Sequence, residues 1–560
     1  NISIGRIPFV SAAEAKTYVD KLLAYMSHKP GKTDTWKSNM LMIGEYGDQY
    51  IHTTQTESFI DNFNYEITPK TSDTPEIRTR NDNAVNFNKI YLEPYDNVDN
   101  LQATREKLVE DFNVGQNFIL FVGHSNISSL TKPTVLMNLQ QAIDTKYDVP
   151  PVMYFSSCDV GRYDGGQTSF IDKLLLNPNG GIIAAVAATR EAYTSLNGRL
   201  TDSFAKYLGI SESDSRFYAK YEKTWGRVLM FAKNFSTDRS RNRLKYHLLG
   251  DPAMLVDIPC DRTEVTEVNG VAASKGIAIG AMTPITIKGR VRNDTGEVDT
   301  DFNGYAKISL YDSEKYYMTQ GDETLTERGA ELAVTSADVT AGEFTATIIA
   351  PNCITTDDKE KPLQVTAVSN DGTVVSGFYN GLTFDRSLSA VSDDTTAPTI
   401  NAFYINDKST FKDGMEVESS LRLKAEVTDD VAINLSHEQI ATTAYISIDG
   451  GEHVYPVCSY QLDGADNCII DQGIYNLKSG RHTAELVVAD MSGNVATRTI
   501  AFYVAVSDNA TLTVDTTALI HSVTFDVENA DNYTDAQLVV SDNSGNVVLR
   551  TDVGSFPYTW

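Results

Sequence analysis

Over the first 256 residues the hydrophobic pattern alternates between two periods. Ser11-Ala12-Ala13-Glu14 has the form of a capping box, and Ala15, Val19, Leu22, Leu23 and Met26 follow at helical spacing. A helix is therefore predicted from about Ala12. Ile2 to Val10, ahead of it, reads as strand-like. Short apolar runs recur at Met40–Ile43 (closed by Gly44), Phe87–Leu92 (interrupted by Asn88 and Lys89), Phe118–Val122 (closed by Gly123), Val152–Phe155 and Ile182–Ala188. Strands with no polar face, separated by helices, belong to a mostly parallel sheet covered on both sides. From about Pro259 the helical period vanishes. Alternating runs such as Lys307–Tyr311, Leu421–Val427 and Thr483–Ala489 lie between turn signals such as Asp371-Gly372, Asp449-Gly450 and Ser492-Gly493-Asn494. That spacing predicts β-sandwiches in series. Val391–Pro398 reads as a linker. The expected division is an α/β domain at 1–257, a sandwich at 258–395, an Ig-like sandwich at 396–506 and the opening strands of another at 507–560.

Composition narrows the picture. With 41% hydrophobic and 22% charged residues the chain is globular, and no run approaches the ~18 apolar residues of a membrane span. Acidic residues outnumber basic ones 75 to 47, a net charge of −28, which excludes a basic nucleic-acid surface and suits an extracytoplasmic or surface protein. Asn1 opens without a Met, a charged leader or an apolar leader segment, so a processed or truncated piece is expected. Five cysteines are too few for a disulfide scaffold; Cys458 and Cys468 are placed for one local bridge, and the odd count leaves a free thiol.

Reactive side chains gather after three of the predicted strands. Phe118–Val122 runs into Gly123-His124-Ser125, Val152–Phe155 into Ser156-Ser157-Cys158-Asp159, and Met40–Ile43 into Gly44-Glu45-Tyr46-Gly47-Asp48. Carboxyl ends of parallel strands are where open sheets place their chemistry. A thiol, an imidazole and a carboxylate there make the nucleophile, base and orienting acid of a cysteine hydrolase. The plainer alternative is a small Cys closing a core strand and a hydrogen-bonded His.

Several segments, taken in order, resemble the gingipain-like cysteine peptidases. They are Ile4-Gly5-Arg6-Ile7-Pro8 with Ala13-Glu14-Ala15, Gly47-Asp48 with His52, Val122-Gly123-His124, and Leu248-Leu249-Gly250-Asp251-Pro252. The order His then Cys, 34 positions apart on successive strand ends, resembles that family as well. Ser157-Cys158-Asp159-Val160-Gly161-Arg162-Tyr163-Asp164 is similar to the family's sortase subgroup, which serves type IX secretion, and Ser479–Thr483 and Ala489–Asn494 resemble that subgroup's Ig-like module. The resemblance implies a caspase-like fold with Cys158 as nucleophile, His124 as base and the backbone N–H groups of Ser125 and Cys158 as the oxyanion site. Ser125 stands where the family has Gly, so it can serve only if its backbone angles do not require Gly. The acid is Asp48 or Glu45, with Asp48 favoured; Tyr46 fills the slot the family gives to an acid.

Weaker candidates surround these. Asp159, Arg162 and Asp164 read as a local ion-pair and capping cluster or as substrate contacts, the former favoured. Thr189 and Arg190 line the specificity pocket or sit on the surface. His52 reads as a structural loop residue and Asp251-Pro252 as a turn. No zinc spacing and no phosphate loop is present; the site needs no metal or cofactor, and Asp429-Asp430 is the kind of loop that holds a structural Ca²⁺. Three functions compete. The first is a surface sortase that removes the C-terminal signal domain of secreted cargo and joins the new end to lipopolysaccharide, working with outer-membrane secretion components. The second is a secreted endopeptidase of the same family. The third is an adhesin in which Cys158 is inert.

Overall fold

Five of the apolar runs become neighbours in one sheet. This computed structural model describes residues 2–68, 77–80, 84–92, 115–131, 136–138, 149–164, 168–178, 180–210, 222–318, 324–435, 444–451, 453–454, 460–462, 464, 466–475, 477–505, 511–515, 522–528, 536–541 and 547–560. The sheet's strands are β1 (Gly5–Arg6), β2 (Asn39–Gly44), β3 (Asn86–Tyr91), β4 (Phe118–Val122), β5 (Val152–Ser156), β6 (Ala184–Ala188) and β7 (Tyr246–Leu249), in the order β1-β7-β6-β5-β4-β2-β3. The five strands from β6 to β3 are parallel; β7 runs antiparallel to β6 and parallel to β1. Only Gly5 and Arg6 of the strand-like Ile2–Val10 pair, because they form an outer edge with one neighbour. A Cβ on Gly5 would lie 2.1 Å from the carbonyl oxygen of Gly250, so the closeness of this edge depends on glycine.

Successive residues of β2, β4 and β5 face opposite sides, and both sides are dry. On one, Leu41, Ile43, Ile119, Phe121, Met153 and Phe155 pack with Tyr18 of α1 (Ala12–Ser27) and with Phe170, Ile171 and Leu174 of α3 (Phe170–Leu176). On the other, Met40, Met42, Phe118, Leu120, Val152 and Tyr154 meet Phe59 of α2 (Ile51–Asn64), Leu200 and Phe204 of α4 (Thr194–Gly209) and Trp225 of α5 (Trp225–Phe235). This two-sided burial is why these strands carry no polar alternation. At the start of α1, Ser11 Oγ accepts from Glu14 N as predicted, but the Glu14 carboxylate reaches back to the N–H of Val10 rather than that of Ser11.

Past residue 259 the described regular structure is β apart from one short 3₁₀ turn, Arg386–Leu388. Gly304–Tyr311, Glu331–Val339, Lys361–Ser369 and Val374–Phe384 belong to one sheet; Thr263–Val268, Pro284–Val291 and Glu343–Ile349 belong to its partner. An Ig-like pair of sheets follows, built around Thr399–Ile405, Leu421–Thr428 and Asn467–Ile474 on one side and Gly480–Ala489 and Val495–Val504 on the other. The two cores interlock: Ala432 and Met491 join the first, and Tyr305 and Val334 join the second. The last strands, from Thr511 to Thr559, form one three-stranded and one two-stranded sheet. Cys468 is a buried free thiol, and Cys458, its expected bridge partner, lies outside the described residues.

The first sandwich docks where the parallel strands begin. Ser38, just before β2, lies 3.2 Å from Thr366 Oγ1 and accepts from Gln364 Nε2 at 3.1 Å; Asn86, which opens β3, lies 3.5 Å from the Tyr311 hydroxyl. The opposite rim of the sheet belongs to the reactive residues.

Candidate active site

Register brings three strand ends level. Gly44 pairs with Val122, and Val122 pairs with Ser156, so β2, β4 and β5 stop together. The chain leaves them as Glu45–Asp48, Gly123–Ser125 and Ser157–Asp159. Glu45 is fully buried, and its carboxylate accepts the backbone N–H of His124. That side chain fills the space beside Gly123, where a Cβ would fall 2.5 Å from Glu45 Oε2 and 2.6 Å from Glu45 Cβ. Gly123 is thus required by the acid beside it.

Asp48, not Glu45, reaches the imidazole. Its Oδ2 lies 2.9 Å from His124 Nε2. A carboxylate there accepts the Nε2–H and leaves the lone pair on Nδ1, the tautomer a base needs if it uses Nδ1. The backbone pays for that placement: Gly47, Asp48, Gln49 and Tyr50 have φ of 91°, 47°, 57° and 63°. Non-glycine residues in the left-handed region cost about 1–2 kcal/mol each. A further outlier, Thr131 (φ 71°), returns the loop after β4 to the site, where its N–H meets the His124 carbonyl at 2.9 Å.

Cys158 is held by main chain. Its Sγ donates to the Ala192 carbonyl at 3.1 Å and accepts from the Ala192 N–H at 3.4 Å. No hydrogen bond joins Sγ to His124 among the described residues. The turn after the thiol is tight: Asp159 has φ 52°, and the N–H groups of Asp159 and Gly161 bond to the carbonyls of Arg190 and Ala188. The Cys158 N–H makes no hydrogen bond among the described residues. Ser125 pairs with Leu130 in a short hairpin whose register, fixed by Thr131 N to His124 O, leaves the Ser125 N–H outside the hairpin's bonds. Ser125 is extended, so this position does not require glycine, and its hydroxyl donates to the Cys158 carbonyl. Two N–H groups beside a thiol are the parts of an oxyanion site.

The weaker candidates separate. Asp164 is bound by Arg190 through both terminal guanidinium nitrogens and lies 3.4 Å from Arg162 Nε. Thr189 is buried, and its hydroxyl donates to the Lys245 carbonyl at 3.1 Å. Asp251 makes the expected turn, accepting from Ala253 N at 2.8 Å. His52 is not a loop residue; it is the second residue of α2 and is 1% exposed. Burial first, and then the neighbouring His124, push its imidazole down to about 4, with Asp48 opposing. Ala192 carries no sequence signal because it acts through its backbone. The signal for His52 was its place four residues after Asp48. In the Ig-like unit, Asp429 is half-buried and pushed up to about 7, by burial first and then by Asp490, Asp430 and Asp394.

Residues 1–257 match the model of peptidase family C25. No curated protein matches the chain. Among solved structures it is similar to dimeric latent PorU from Porphyromonas gingivalis, at 21% identity over 68% of this chain and 38% of that one, with a TM-score of 0.29. It is also similar to the complex of Porphyromonas gingivalis RgpB pro- and mature domains, at 17% identity over 69% of this chain and 77% of that one, TM-score 0.35. The N-terminal Ig1-2 module of a Drosophila receptor protein tyrosine phosphatase matches at 14% identity over 44% of this chain and all of its own, TM-score 0.13. The chain thus spans little more than a third of the PorU structure, and likenesses this distant carry no activity from one protein to another.

Proposed function

Since residues 1–257 form a cysteine peptidase domain of family C25, we propose that Cys158, His124 and Asp48 are its catalytic residues and that it works as a surface sortase. The observation that carries the site is the 2.9 Å contact between Asp48 Oδ2 and His124 Nε2, on strand ends level with the one that bears Cys158. In this reading the substrate draws the thiol away from Ala192 towards His124. Catalytic contacts are often loose before substrate binds. Nδ1 takes the thiol proton, Sγ attacks the scissile carbonyl, and the N–H groups of Ser125 and Cys158 hold the oxyanion. His124 returns the proton to the leaving amine, and a thioester remains. Water or an amine resolves it, and the amine route makes the enzyme a transpeptidase. Glu45 acts as a positioning residue through the His124 backbone.

The substrate reading rests on the segment Ser157–Asp164 and on the β units. The first of those units docks at the end of the sheet away from the candidate residues. The proposed cargo is a protein with a C-terminal signal domain; the acceptor is an amine on surface lipopolysaccharide, and the setting is the outer face of the outer membrane with other secretion components. No described helix is long and apolar enough to cross a membrane. The test incubates wild type and Cys158→Ala with such a cargo, with and without an added amine, and reads the new C-terminus by mass spectrometry. Cleavage by wild type alone, with the amine incorporated, is the expected result. Cleavage without incorporation leaves a plain endopeptidase. Equal processing by Cys158→Ala removes the enzyme reading.

A further inference from the structure

His52 is buried at 1% exposure, yet neither ring nitrogen has a hydrogen-bond partner among the described residues. Asp48 Oδ2 lies 3.5 Å from its Nε2, long for such a bond. Burying an unpaired donor and an unpaired acceptor is costly, and such groups in native proteins call for an explanation. The ring does not sit alone. It meets His124 edge-on, with centroids 5.2 Å apart, and one ligand atom from each of Glu45, His52 and His124 lies within 4.8 Å of the other two.

Two imidazoles and a carboxylate are the ligand set of borderline cations such as Zn²⁺; Ca²⁺ and Mg²⁺ want oxygen alone. Zinc bonds of about 2.0–2.2 Å put tetrahedral ligand atoms about 3.3 Å apart. The present spacing of up to 4.8 Å must shorten for such bonds, and His124, with 44% of its side chain exposed, is the least enclosed of the three ligands. The other two are fixed, Glu45 at the end of β2 and His52 at the start of α2. Asp48, within 3.5 Å of both rings, is placed to supply a further oxygen or to orient the imidazoles from behind.

We propose that Glu45, His52 and His124 form a Zn²⁺ site that competes with peptidase chemistry. An ion there occupies a ring nitrogen of His124 and removes its capacity to receive the Cys158 proton. The site stands on the geometry; only the competition rests on His124 being the base.

The test uses the full chain, freed of metal. Calorimetric titration with ZnCl₂ at neutral pH is expected to show one tight ion per chain. Titration with Co²⁺ is expected to give a visible spectrum without a thiolate-to-metal band. His52→Ala and Glu45→Gln each weaken binding about tenfold or more, and Cys158→Ala leaves it unchanged. Circular dichroism checks each fold, and the near-isosteric Glu45→Gln carries the test if His52→Ala unfolds. Zn²⁺ is also expected to slow iodoacetamide alkylation of Cys158 in wild type and not in His52→Ala. Absence of a stoichiometric ion overturns the site. So does binding that survives unweakened in both ligand variants, or that disappears in Cys158→Ala. Binding with alkylation unslowed overturns the competition. A failure of the peptidase reading shows separately, as cargo cleavage by Cys158→Ala, and leaves the titration untouched.

Discussion

Asp48 and Asp490 are both carboxylates packed against other titratable groups, but their company differs. Asp48 Oδ2 lies between two imidazoles, 2.9 Å from His124 and 3.5 Å from His52. Asp490, fully buried in the Ig-like unit, shares the Asn494 side-chain amide with Asp394, at 2.8 and 3.0 Å. Burial and then Asp394 raise the Asp490 carboxyl. Backbone strain follows the same divide: Asp48 is in the left-handed region, and Asp394 and Asp490 are not. One carboxylate is held in place at a cost and faces groups that can become cations; the other is held comfortably and faces its own kind. The first arrangement is suited to moving a proton, the second to keeping one.

Charge removal should therefore have opposite consequences at the two places. At the rim, Asp48→Asn should leave the fold intact and lower the rate by ~10²–10⁴-fold, since the amide favours the wrong imidazole tautomer. Glu45→Gln, whose carbonyl can still accept the His124 N–H, should cost less than about tenfold. Equal losses in cargo-cleavage kinetics would mean that Asp48 has no special part. Gly123→Ala comes next in size. Its Cβ must displace the buried Glu45 side chain, so destabilisation of about 1–3 kcal/mol is expected in denaturant unfolding; an unchanged midpoint would show that Glu45 moves freely.

In the Ig-like unit the sign reverses. Asp429 has a folded pKa of about 7, raised above the ordinary value of 3.8. The folded state then binds its proton more tightly than the unfolded one, and this contribution is lost as pH rises from about 4 through 7. Asp429→Asn should raise the unfolding midpoint at pH 8, by about 1 kcal/mol once water screening of a half-exposed group is allowed for, and change it little at pH 5. A loss of stability at pH 8 would break the contrast. The smallest expected effect concerns the linker. Val391 is 91% exposed, but Ser392 bonds to Ser492 and Asp394 to Asn494. Limited proteolysis should nick at 391–398, slowly, and faster in Asn494→Ala; cuts confined to the α/β unit would argue against a boundary there.

These contrasts also mark what a sequence can show. β2, β4 and β5 were legible because burial on both faces leaves uninterrupted apolar runs, and Cys158 and His124 because they follow such runs. β1 and β7 were not read as they stand: one shrinks to two residues at an edge, and the other carries His247 and reverses direction. Asp48 and Glu45 both follow β2 in sequence, and only the left-handed turn from Gly47 decides which of them reaches the ring. The burial of His52 depends on which face of α2 meets the sheet, which is a property of neighbours and not of spacing. Ala192 was invisible because any residue supplies its N–H and carbonyl.

The segment that cradles the thiol has an implication for how the protein is made. Residues 189–193 are pinned from far along the chain: Thr189 N bonds to the Lys245 carbonyl, Lys245 Nζ to the Glu191 carbonyl and Tyr193 N to Asn242 Oδ1. Gly5 and Arg6 likewise wait for Leu248 and Leu249. During N-to-C synthesis these partners emerge after Asp48, His124 and Cys158, and contacts so distant in sequence are slow to close. A ribosome that has passed Cys158 but not the 240s thus holds a chain with every reactive side chain made and no cradle for the thiol. Order of emergence alone delays the cradle of the Cys158 thiol until the 240s are made.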